Sequence, residues 1–93
     1  MVVGVINARL FIRSSRSLKD KRQILNSLKE KLRAKFNVAV GEVKHQDEHQ
    51  FAGLGIATVA SDRAVVEKTV QGVKIFLEGQ PHLSISTLEC EYY

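Results

Sequence analysis

Tryptophan is absent from this chain, and cysteine, proline and methionine occur once each. The lone Cys90 cannot form an internal disulfide, so nothing points to an oxidising compartment. It is expected to be a half-buried strand residue. No apolar run approaches the roughly 20 residues of a membrane-spanning helix, and Met1 to Ile6 lack the basic stretch that opens a secretory signal. A cytoplasmic protein without membrane contact is expected. Repeats, low-complexity tracts and linker-like segments are likewise missing.

What remains is ordinary globular material, 44% hydrophobic and 26% charged over 93 residues. That length supports one core, so residues 1–93 form a single domain. The net charge of +4 hides an asymmetry. Residues 1–36 hold ten cations against Asp20 and Glu30, a local net of +8, whereas the remainder holds four cations against eight acids, a net of −4. Such polarity can attract polyanions to one region, serve solubility, or pair patches between subunits.

From Val2 to Arg13 residues alternate, with Gly4, Ile6, Ala8, Leu10 and Ile12 on one face, which predicts a long strand with that face on the core. Ser17, with Asp20 three residues later, predicts a helix start. Leu18, Ile24, Leu25, Leu28, Leu32 and Phe36 then fall within an arc of about 120°. Asn37 is expected to end this helix in a left-handed conformation.

Val38–His45 and Phe51–Ala60 read as a β-hairpin joined across Gln46–Gln50. Ser61-Asp62 opens a second helix with Val66, Val70, Val73 and Leu77 on its apolar face, and Gly79 and Pro81 stop it. Leu83–Tyr93 forms a last strand whose alternation slips near Thr87 and Leu88, as a bulge would cause. The order β-α-β-β-α-β predicts an α+β, ferredoxin-like sandwich: a four-stranded antiparallel sheet with both helices on one face.

The chemistry-bearing candidates divide into three groups. Arg16, Lys19, Arg22, Lys29 and Arg33 line one flank of the first helix, or its approach, and can meet successive phosphates. Cationic helix faces are also common in proteins that bind nothing acidic. On the uncovered sheet face, Val5, Arg9, Phe11, Arg13, Phe51 and Val59 form an interaction surface, most simply one closed by a second subunit. Phe11 and Phe51 stand where RNA-recognition modules of this topology stack bases, but the segment Phe51 to Ile56 lacks their aromatic density. In the third group, His45, Asp47 and His49 recur at two-residue spacing and would share one side of an extended strand. A hairpin tip is polar in any case and no fourth ligand is evident, so no metal or other cofactor is expected.

No catalytic constellation emerges. Cys90 has no histidine partner, no serine lies in a nucleophile elbow, and Gly53 and Gly55 sit inside a strand, where they allow a neighbouring backbone to approach. The run Val70-Gln71-Gly72-Val73 matches part of the acylphosphatase phosphate cradle, but it falls within the second helix and Leu77 replaces the required arginine. A non-enzyme is expected.

The segments Ser17-Leu18-Lys19-Asp20-Lys21-Arg22, Phe36-Asn37-Val38, Glu42-Val43, Gln46-Asp47 and Leu54-Gly55 resemble the YlxP-like family of small bacterial proteins across nearly the whole chain. The resemblance implies a ferredoxin-like fold; the family is largely of unknown function, and its gene neighbourhood with translation factors and ribosome maturation implies an RNA or ribosomal partner. It carries over no catalytic residue. After Gln-Asp the family pattern has an aromatic, a glutamine and a basic residue, whereas this chain has His49-Gln50-Phe51, which argues against His49 as a shared ligand. The expected function is therefore RNA or ribosome binding by the first helix, with homo-oligomerisation through the open sheet face as the alternative.

Overall fold

In the computed structural model, which describes residues 1–93, the chain follows the expected order: β1 (Val2–Ile12), α1 (Leu18–Lys35), β2 (Ala39–Lys44), β3 (Phe51–Ala60), α2 (Arg63–Glu78) and β4 (Leu83–Tyr92). The strands form one antiparallel sheet in the order β2-β3-β1-β4, with both helices on one face, an α+β ferredoxin-like arrangement. Gly4, Ile6, Ala8, Leu10 and Ile12 all turn inward, as their alternation requires. The last four join Leu25, Leu28 and Leu32 of α1, Val66, Val70, Val73 and Leu77 of α2, and residues of the other strands in one core of sixteen buried side chains.

Both helices begin on the same device. The Ser17 hydroxyl accepts from the Asp20 amide at 3.1 Å, and the Asp62 carboxylate accepts from the Ala64 amide at 3.1 Å. The exit of α1 differs from expectation. The helix ends at Lys35, Phe36 caps it in an extended conformation, and Asn37 is not left-handed. Phe36 instead turns its ring toward Phe76 of α2, edge-on at 6.2 Å, so aromatic packing redirects the chain one residue earlier. The only non-glycine residue with positive φ is His45 at the hairpin, with φ 62°.

Two irregularities decide which side chains reach which face. In β4, Thr87 opposes Arg9 and Ile85 opposes Leu10, leaving Ser86 as the extra residue of a bulge. This slip lets Leu88 and Tyr92 follow Leu83 and Ile85 onto the core side. In β2, Glu42 opposes Leu54 but Lys44 opposes Gly53, so Val43 is the extra residue. Glu42 therefore faces the helices while Lys44 faces away from them. Cys90, expected to be half-buried, is exposed on β4, an edge strand with no neighbour on its outer side.

Candidate functional site

Arg16, Lys19 and Arg22 are exposed at the start of α1, and Lys29 is half-buried further along the same flank. None of them forms an ion pair: the three in the molecule join Lys21 to Glu42, His45 to Glu48 and Arg63 to Glu67. The Asp20 carboxylate, the nearest acid in sequence to Arg16, Lys19 and Arg22, accepts from the Arg16 amide at 3.1 Å and is occupied by the helix start. Arg33 departs from the set. Its Nη2 donates to the Val40 carbonyl on edge strand β2 at 3.1 Å, which locates the basic flank of α1 along the β2 side of the molecule.

The most consequential residue of α1 was absent from the sequence-derived candidates. Lys21 is only 1% exposed, and its Nζ donates to Glu42 Oε2 at 2.8 Å, to the His45 carbonyl at 2.8 Å and to the Phe51 carbonyl at 3.1 Å. Those three bonds use the full donor capacity of an ammonium group. The Gln46 carbonyl lies further off, at 3.5 Å. Lys21 thus fastens α1 to β2, to the left-handed turn at His45 and to the first residue of β3. A signal for it existed. At about 100° per residue, Lys21 falls in the middle of the apolar arc, and Glu42 supplies the partner such a buried cation needs.

On the open sheet face, Phe11 and Phe51 oppose each other on the two central strands, with ring centroids 5.4 Å apart. The Arg9 guanidinium lies 4.1 Å from the centre of the Phe51 ring. Arg13 donates to the Leu83 carbonyl at 3.3 Å, tying the end of β1 to β4. Val5 is half-buried, and Val59 is 45% exposed near the far end of the sheet. Between those ends the surface dips. A Cβ on Gly53 would lie 2.7 Å from the Lys44 Cβ and 3.2 Å from the Lys44 backbone, so the expected close approach is present. The dip is a cleft of about 280 Å³ whose lining includes Asn7, Arg9, Lys44, His45, Thr87 and Glu89.

The hairpin tip does not gather His45, Asp47 and His49. The strand ends at Lys44 and a turn follows, which removes the extended geometry that would have aligned them. His45 Nδ1 instead meets Glu48 Oε1 at 3.0 Å, and no cluster of three potential metal ligands forms. At the other end of the sheet, the Tyr93 hydroxyl donates to the Glu91 carboxylate. That hydrogen bond, followed by the adjacent negative charge, holds the phenol above its ordinary pKa.

The family model described as "Protein of unknown function (DUF503)" matches residues 3–90. The chain belongs to the DUF503 family. It is 32% identical over 92 residues to the uncharacterized protein YlxP of Bacillus subtilis (strain 168), a match covering 99% of this chain and all of the other. The resemblance read from the Ser17–Arg22 and Phe36–Val38 segments is therefore upheld.

Among solved structures, this chain is similar to the C-terminal domain of a cyclometallase involved in synthesis of the NPN cofactor of lactate racemase, in its apo form. The identity is 9% and the TM-score 0.48, covering all of this chain and 55% of that one. A protein from Arabidopsis thaliana matches at 18% identity and a TM-score of 0.46, over 100% of this chain and 93% of the other. Neither likeness bears on activity. No helix is long and apolar enough to cross a membrane.

Proposed function

We propose that this DUF503 protein is a non-enzymatic module that binds structured RNA or a ribosomal surface through the exposed flank of α1. The observation that carries this reading is the unpaired state of Arg16, just before α1, and of Lys19, Arg22 and Lys29 on it, a helix whose only acid besides Asp20 in its first turn is Glu30. Cations without carboxylate partners are free to exchange their counterions for phosphates. Arg33 joins them as a held guanidinium beside β2. The test is co-sedimentation with ribosomal subunits across a salt series. Wild-type protein pellets with subunits at low salt and is released as salt rises, and changing Lys19, Arg22 and Lys29 to Glu removes it from the pellet. Unchanged retention of that variant contradicts the reading.

A second reading has its own observation. Toward the far end of the open face, Val5, Ala57 and Val59 form a flat apolar strip beside Gly55, and Val43 at 51% exposed adds to it. A second copy of the chain is the occupant this strip would take, making the protein a homo-oligomeric interaction or regulatory domain. Light scattering separates the two: a strict monomer rules out self-association through the strip.

A further inference from the structure

We propose that the aromatic end of the open sheet face binds an unpaired nucleotide base, so that a single-stranded segment of the RNA held by α1 continues around the β2 edge onto the sheet. The proposal rests on the RNA reading above and adds a second site with a different ligand chemistry.

Three planar groups lie together there. Phe11 and Phe51 are directly opposed neighbours, and the Arg9 guanidinium lies over Phe51. Bases stack on aromatic rings and on guanidinium planes alike. Next to these planes lies the cleft, lined by Gly53 and by Lys44, which packs into the space a Gly53 side chain would take. The cleft, at about 280 Å³, falls just below the roughly 300 Å³ at which ligand-sized cavities begin, and so suits one base better than a larger cofactor.

The rim supplies the remaining chemistry. Asn7, Thr87 and Glu89 offer donors and acceptors to a base edge, while Arg9 and Lys44 form no ion pair and can meet the attached phosphates. The β2 bulge is what sends Lys44 to this face while Glu42 serves Lys21 on the other. Because β2 is the edge strand beneath the basic flank of α1, one RNA can pass from that flank to Lys44 without crossing the helices. Lysine is depleted at protein–protein interfaces, so an unpaired Lys44 on this rim favours a nucleotide here over a second subunit.

Lys21 acts as a positioning residue for this site. Its bonds to the His45 and Phe51 carbonyls fix the end of β2 and the start of β3, the two points from which Lys44 and Phe51 project.

The test uses the full chain with a single-stranded RNA ten-mer carrying one 2-aminopurine and a blunt RNA duplex of equal length. Phe11→Leu and Phe51→Leu keep apolar bulk while removing the stacking plane, and thermal melts establish that each variant is folded. Wild-type protein is expected to change the 2-aminopurine emission on binding. Each leucine variant loses that change and binds the single strand about tenfold more weakly, with duplex binding unaltered. Charge reversal on α1 weakens both RNAs, so its failure to do so sinks the α1 reading alone. The base-binding proposal is overturned if wild-type protein leaves 2-aminopurine emission unchanged, if folded leucine variants bind the single strand as wild type does, or if light scattering shows a dimer that these substitutions dissociate.

Discussion

The two helices cover the same sheet face at similar lengths, 18 residues in α1 and 16 in α2, yet they are attached by different physics. The stripe of α2 is unbroken aliphatic: Val66, Val70, Val73 and Leu77 are all buried, and the Arg63–Glu67 pair offsets part of the charge on its outer surface. The stripe of α1 carries a buried lysine in its first turns, and its outer surface is dominated by cations. Hydrophobic burial is non-directional and sets where α2 lies. The hydrogen bonds of Lys21 are directional, so they fix α1 in register with Glu42, His45 and Phe51. Of the two helices, α1 is the one whose position controls both candidate surfaces.

The largest difference between the helices should come from the anchors themselves. Lys21→Met strips Glu42 and two carbonyls of their partner, and urea unfolding should show a loss of about 3–5 kcal/mol. Leu77→Ala in α2 should cost about 2–5 kcal/mol through a cavity alone. The distinction lies in the rescue. Adding Glu42→Leu to Lys21→Met should recover stability, because an apolar pair can replace a buried ion pair, whereas no polar substitution should rescue Leu77→Ala. Failure of the double variant to regain stability would show that the backbone carbonyls, not the carboxylate, hold Lys21 in place.

A smaller effect concerns how closely α2 approaches the sheet. A Cβ on Gly4 would lie 2.6 Å from Val66 Cγ1 and 3.0 Å from Val70 Cγ2, whereas one on Gly41 would meet nothing within 4 Å. Gly4→Ala should therefore lower stability by about 1–3 kcal/mol by pushing the helix outward. Gly41→Ala should stay within about 0.5 kcal/mol of wild type in the same thermal or urea measurement. Equal effects at the two positions would mean that α2 rides more loosely on β1 than the valine contacts indicate.

The smallest expected effect is one that the helices share. Ser17→Ala and Asp62→Ala should each cost about 1 kcal/mol, since both remove a side-chain acceptor from a helix start. A much larger loss at Ser17 would implicate the Ser15 hydroxyl, which donates to the Ser17 carbonyl at 3.0 Å, in holding the β1–α1 loop.

The element order, the buried face of β1 and the stripe of α2 were legible because strict periodicity there coincides with burial. Legibility failed where tertiary contacts override local preference. Lys21 reads as one more surface cation unless its angle on the helix is checked against the leucines around it. Asn37 has the composition of a helix terminator, but the Phe36–Phe76 contact ends the helix first. The His45-x-Asp47-x-His49 spacing assumed an extended strand that the left-handed turn at His45 interrupts. The basic flank was visible in its spacing, although the tie of Arg33 to Val40 was not, because strand pairing is a long-range property.

Under the proposed function, α1 and not α2 presents the polyanion-binding surface. The direct measurement is the salt dependence of binding to a structured RNA by fluorescence anisotropy, comparing Lys19→Glu/Arg22→Glu/Lys29→Glu on α1 with Lys68→Glu/Lys74→Glu on α2. The slope of log affinity against log salt should fall in magnitude by about 0.7–0.9 for each α1 cation that contacts a phosphate, and should barely move for the α2 pair. Equal changes for the two helices, or an unchanged slope in the α1 variant, would contradict it.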